Sequence, residues 1–138
     1  MSNIIETNST TILLVDDEKI LVELMSKRLI TRNYIVFTAS SGIEALEVLK
    51  TNKTIDIVIL DVKMAGMDGI ETLKLIKKSY PLVEVIMLTG YPQVDDAIDC
   101  MRFGAYDYLK KVVDFDNLLV KITLAKQKKL TGEENALK

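Results

Sequence analysis

Asp16 and Asp17 follow the apolar run Thr11–Val15, and Asp61 follows the run 56–60 (DIVIL). Thr89 follows 84–88 (EVIML), and Lys111 stands two residues past 106–109. Singly these residues say little. An aspartate after a strand is often only the N-cap of the next helix, and acids such as Asp17 and Glu18 suit the positive end of a helix dipole. A threonine there is usually a turn residue, and a lysine is usually solvated. As a set at matching run ends they imply more. If those ends are adjacent, three carboxylates share one pocket, and their repulsion must be relieved by raised pKa values or by a bound cation. Oxygen donors without sulfur or imidazole suit a hard ion such as Mg²⁺. The sequence contains no histidine. That removes Ser/His/Asp and Cys/His catalysis, His-ligated zinc and any role as a histidine phosphodonor.

The elements that must position these residues alternate along the chain. Short branched runs at 11–15, 34–38, 56–60, 84–88 and 106–109 read as strands. The run 56–60 is continuous enough for a strand covered on both faces. Between them, apolar residues recur at helical spacing: Leu21, Leu24, Met25 and Leu29; Ile43, Leu46 and Leu49 after Gly42; Ile70, Leu73 and Ile76 before Pro81. Val94, Ala97, Ile98 and Met101 form a further stripe closed by Gly104, and Phe115, Leu118, Leu119, Ile122 and Ala125 mark the last helix. Five strands alternating with five helices predict an α/β fold, a doubly wound parallel sheet with helices on both faces. In such sheets the ligand site lies beyond the carboxyl ends of the strands, where strand order reverses.

Composition bounds the remaining possibilities. A chain of 138 residues with 49% apolar and 28% charged residues suits one domain with a real core. A net charge of -2 gives no general attraction to nucleic acid or anionic membranes, so direct binding to either is not expected. No apolar stretch reaches a membrane span, and residues 1–10 lack the pattern of a signal peptide, which points to the cytoplasm. Cys100 has no partner for an internal disulfide and reads as a small core residue. Residues 1–10 are expected to be a flexible segment and 11–128 the folded domain; 129–138 reads as a fraying tail or the start of a linker.

The stretches ILLVDDE, VILDVKMAGMDG, IMLTGY and GAYDYLKK, with the spacing between them, resemble the receiver domain of two-component response regulators over residues 11–128. The resemblance implies a flavodoxin-like (βα)5 fold acting as a phosphoacceptor switch rather than a turnover enzyme. It implies that Asp61 takes a phosphoryl group from a phosphohistidine of a sensor histidine kinase or histidine phosphotransfer protein. Asp17 would bind Mg²⁺ directly, Asp16 mainly through water, and Asp61 and the backbone carbonyl of Lys63 would complete the protein's ligands. Thr89 would hydrogen-bond the new phosphoryl oxygens, and Lys111 would pair with Asp61 before transfer and with the phosphoryl group after it. Tyr108 matches the aromatic switch position that carries the event to the face of the fourth helix, fifth strand and fifth helix, promoting a homodimer or partner docking. Lys63 and Tyr91 occupy the positions that flank the path of attacking water, so a long-lived phosphorylated form is expected.

Two positions depart from the family pattern: Ala65 and Val112 stand where proline is usual. With valine, a cis bond after Lys111 costs roughly 3 to 4 kcal/mol, so a trans bond and a less firmly placed Lys111 are expected. A haloacid dehalogenase-type phosphatase is the rival enzyme reading, but its DxDx(T/V) motif should follow the first strand, where DDEK stands. A degenerate receiver serving only as an interaction module is the rival outside enzymes. No DNA-binding or catalytic segment follows Lys138, and the charged KQKKL stretch resembles receivers that continue into a linker, so a receiver cut from a longer protein is expected.

Overall fold

A computed structural model describes residues 9–111 and 113–137. The Lys111–Val112 bond, expected to be trans, and most of the expected N-terminal flexible segment lie outside the described residues. Five strands, β1 (Thr11–Val15), β2 (Ile35–Ala39), β3 (Ile57–Asp61), β4 (Glu84–Thr89) and β5 (Asp107–Lys110), form one parallel sheet in the order β2-β1-β3-β4-β5. The helices are α1 (Lys19–Ile30), α2 (Gly42–Thr51), α3 (Gly69–Ser79), α4 (Val94–Arg102) and α5 (Phe115–Ala136). The expected doubly wound α/β architecture is thus observed.

The continuous apolar strands are explained by burial on both faces. Along β1, Leu13 and Val15 enter a core with Ala45 and Leu49 of α2, Leu73 and Ile76 of α3, and Cys100 of α4. Their neighbours Ile12 and Leu14 point the other way, against Met25 and Leu29 of α1 and Leu118 and Ile122 of α5. The period of two that separates faces in any strand therefore feeds two cores here.

Besides Leu24 of the expected α1 stripe, which is exposed, three helical details differ from expectation. In α2, Ile43 is exposed, and Gly42, Ala45 and Leu49 form the inner face. In α4 the predicted stripe faces outward: Val94, Ile98 and Met101 are exposed, and Cys100 is the fully buried residue. This helix seats shallowly on its small side chains, so its larger apolar groups remain at the surface. Third, α5 runs to Ala136, through the stretch expected to fray. The reason is electrostatic: Lys126 and Lys129 pair with buried Asp56 at 2.9 and 3.1 Å, Lys128 lies 3.7 Å from buried Glu84, and Lys129 also pairs with Glu133 one turn on.

The loop joining β3 to α3 closes tightly. The Gly69 N–H donates to the Val62 carbonyl at 2.9 Å, and a Cβ at Gly69 would stand 2.0 Å from the Asp61 carbonyl oxygen and 2.7 Å from Val62 Cα. Only glycine permits that approach. Helix propensity alone would make Gly69→Ala stabilising by about 0.5 to 1 kcal/mol. The backbone clash reverses the sign, and Gly69→Ala is expected to lose at least about 2 kcal/mol in urea denaturation. A stability gain would show that the loop is free to relax away from Asp61.

Candidate functional site

The strand order reverses between β1 and β3, and the parallel register brings their ends level. Val15 stands opposite Leu60, Asp61 opposite Leu88, and Thr89 opposite Lys110. Side chains just past these ends converge in an open cleft of about 550 Å³ whose lining includes Asp17, Glu18, Asp61, Lys63, Tyr91 and Lys111. One carboxylate oxygen from each of Asp16, Asp17 and Asp61 lies within 4.8 Å of the other two. The expected cluster therefore forms, and its all-oxygen character fits a hard divalent ion.

Each member has further partners. Asp16 is buried; its Oδ1 accepts the Glu18 N–H at 3.0 Å while its Oδ2 meets Lys111 Nζ at 2.9 Å. One oxygen thus closes a turn ahead of α1, whose N-cap position, Glu18, makes no side-chain capping bond, and the other faces the pocket. Asp17 is exposed, and its Oδ2 accepts the Ala65 N–H at 3.4 Å, a long contact across to the β3–α3 loop. Asp61 is buried at the end of β3, accepts the Lys63 N–H on Oδ1 at 3.3 Å and meets Lys111 on Oδ2 at 3.2 Å.

Lys111 is placed by its own N–H, which donates to the Thr89 carbonyl at 2.5 Å. Its ammonium reaches three carboxylates: Asp16, Asp61 and, at 2.5 Å, Glu18. Burial alone would depress this ammonium; the hydrogen bonds to Glu18 and Asp16 outweigh it and hold its pKa above the usual lysine range. Glu18 is the site residue that reading the sequence missed. It looked like an ordinary first-turn acid, and the third acid of the DDE run was its only signal.

Thr89 is fully buried, with its hydroxyl accepting the Tyr91 N–H at 3.1 Å. The Tyr108 ring is half-buried against the core, and its hydroxyl accepts the Gln93 N–H at 3.1 Å, where α4 begins. Tyr91 is 77% exposed at the rim. Lys63 lines the cleft, but its ammonium pairs with Asp96 of α4 at 3.4 Å.

A doubly wound five-stranded sheet with an acidic triad at its switch point and a lysine across it defines a class of protein. The response regulator receiver domain family matches residues 12–123, and the chain belongs to that family. It is 41% identical over 114 residues to the transcriptional regulatory protein ZraR of Klebsiella oxytoca, covering 83% of this chain and 26% of that protein. The chain therefore spans about a quarter of the length of such relatives. Among solved structures, a receiver domain protein of Clostridium thermocellum superimposes with a TM-score of 0.84 at 37% identity, covering 88% of this chain and 98% of that one. NtrX of Brucella abortus superimposes with a TM-score of 0.85 at 30% identity, covering 94% of this chain and 30% of that one. Among the described residues no helix is long and apolar enough to cross a membrane.

The carboxyl of Asp61 is pushed up to about 6, first by burial and then by the charge of Asp16, with Lys111 and the Lys63 N–H opposing. The folded state then holds this proton more tightly than the unfolded chain does. Its charged form costs stability above about pH 6, and the cost fades as pH falls toward 4. In metal-free buffer Asp61→Asn should be more stable than wild type at neutral pH by on the order of 1 kcal/mol, a figure discounted for screening by water in the cleft. The gap measured in urea should narrow at acid pH. A variant less stable than wild type at neutral pH would mean that the Lys111 pair outweighs burial.

Proposed function

We propose that this receiver is an active phosphoacceptor, with Asp61 as the nucleophile and a phosphohistidine on a sensor kinase or phosphotransfer protein as the donor. The observation that carries the reading is the position of Asp61. It is buried, within reach of Lys111, and clustered with two further carboxylates. Asp61 attacks phosphorus in line; the P–N bond breaks with its electron pair leaving on the imidazole nitrogen, which takes up a proton. Phosphoryl transfer of this kind depends on positioning and charge neutralisation more than on acid-base help, so a chain without histidine can host it.

Asp16, Asp17, Asp61 and the Lys63 carbonyl would hold Mg²⁺, which when bound supplies positive charge beside the transferring group. Lys111 supplies the second positive charge, exchanging Asp61 for a phosphoryl oxygen. Thr89 turns its hydroxyl from the Tyr91 N–H to the phosphoryl group. The departure of that hydroxyl opens space toward which the Tyr108 ring moves, releasing its bond to Gln93. The exposed residues Val94, Ile98 and Met101 of α4, with Val120 and Leu124 of α5, form the face whose affinity for a second copy or a partner then changes. Ile20 and Leu24, exposed on α1, the helix whose Leu21 lines the cleft, suit contact with the donor.

Acetyl phosphate with Mg²⁺ should add one phosphoryl mass to the intact wild-type chain and none to Asp61→Asn. An unchanged wild-type mass would leave the chain an interaction module only. Tyr108→Ala should take up the phosphoryl group as wild type does, while the Met101 methyl resonance loses most of its response to phosphorylation. A full response in that variant would remove Tyr108 from the pathway.

A further inference from the structure

The start of α4 carries a second tie to the pocket besides Tyr108, and its geometry is unusual for a surface ion pair. Asp96 sits in the first turn of α4, and its Oδ2 is buried with no hydrogen bond. The ammonium of Lys63, 3.4 Å away, is the one cation paired with it among the described residues. Lys63 is itself 58% exposed and so is free to swing. Its backbone N–H is bonded to the Asp61 carboxylate, which fixes the root of this side chain two residues from the phosphoacceptor and at the cleft wall. One cation therefore stands within side-chain reach of both the cleft and a half-buried carboxylate on α4 whose Oδ2 is shut off from water.

We propose that Asp96 is a positioning residue for the switch: by drawing the Lys63 ammonium onto α4, it makes the phosphoryl group and the resting placement of α4 compete for one positive charge. This rests on the phosphoacceptor reading of Asp61. A phosphoryl group on Asp61 carries nearly two negative charges and attracts Lys63 more strongly than a single carboxylate does. Once Lys63 turns to it, the buried Oδ2 of Asp96 is left without a counter-charge on a side chain only 16% exposed, a state that costs more than an ordinary lost surface contact. The resting position of α4 becomes unfavourable without any contact between the phosphoryl group and that helix. The helix is suited to respond: it has no side-chain N-cap, and Cys100 is its one fully buried residue. Coupling of this kind is reciprocal, so a partner that lifts α4 frees Lys63 and strengthens the hold on the phosphoryl group.

The test is a double-mutant cycle read by the affinity of the Mg²⁺-loaded protein for beryllofluoride, a tetrahedral phosphoryl mimic that binds without covalent chemistry. Asp96→Asn keeps the shape and removes the charge, so Lys63 no longer has to be drawn away. Beryllofluoride should bind roughly two- to fivefold more tightly, the range expected for one partly exposed ion pair. In a Lys63→Gln background, Asp96→Asn should change the affinity little, and Asp96→Glu alone should return it toward the wild-type value. Unchanged affinity in Asp96→Asn overturns the proposal, as does equal tightening with and without Lys63. Failure of the wild-type protein to bind beryllofluoride at all would instead overturn the phosphoacceptor reading beneath it.

Discussion

Three carboxylates held within 4.8 Å of one another are the constraint on which this end of the molecule depends. Like charges at that separation repel, and burial of Asp16 and Asp61 makes the repulsion worse by removing water. A fold can tolerate such a cluster only if strong packing elsewhere fixes the strands that carry it. Here the central strands β1, β3 and β4 are buried throughout, with apolar contacts on both faces. Lys111 answers part of the charge, but its ammonium is shared among Asp16, Asp61 and Glu18, leaving the cluster net negative. The pocket is poised to take up further positive charge, a demand that the Lys63 and Lys111 side chains around it answer only in part.

The contrast between the two ends of the sheet is physical rather than incidental. At the amino ends of the strands, Asp56 and Glu84 are also buried acids, yet lysines from α3 and α5 surround them: Lys126 and Lys129 pair closely with Asp56, while Lys77 and Lys128 stand 3.9 and 3.7 Å from Glu84, whose Oε1 makes no hydrogen bond. Those pairs tie the long last helix down. At the carboxyl ends the cations are fewer and the acids more, and the adjoining α4 is held shallowly. Four lysines around two acids at one edge, and more acids than cations beside a shallowly seated helix at the other, is an arrangement in which a local charge change at the second edge moves one element and not the whole domain.

Much of this was legible in the amino-acid sequence because its signals are local. Doubly buried strands read as short apolar runs, and strand ends advertise the acids that follow them. The motif set around Asp16, Asp17, Asp61, Thr89 and Lys111 then told which family the chain belongs to. What escaped depends on partners far away in sequence. Glu18 meets Lys111 across 93 positions, and nothing local distinguishes it from a first-turn acid. The end of α5 looked like a frayed tail because its stabilising partners, Asp56 and Glu84, are not on the helix. In α4, apolar periodicity was real but reported the exposed face, since Val94, Ile98 and Met101 point away from the small side that packs. Periodicity shows that a helix has a face, not which way the face is turned.

The central claim is that the crowded pocket at the β1–β3 switch point is held ready for a divalent cation. Thermal melting with increasing Mg²⁺, at constant ionic strength, tests it most directly. Binding to the folded state alone should raise the wild-type midpoint progressively with Mg²⁺ concentration, while Asp61→Asn, with one charge fewer, should respond much more weakly. Equal shifts in the two proteins, or no shift in the wild type beyond that produced by sodium, would contradict the account.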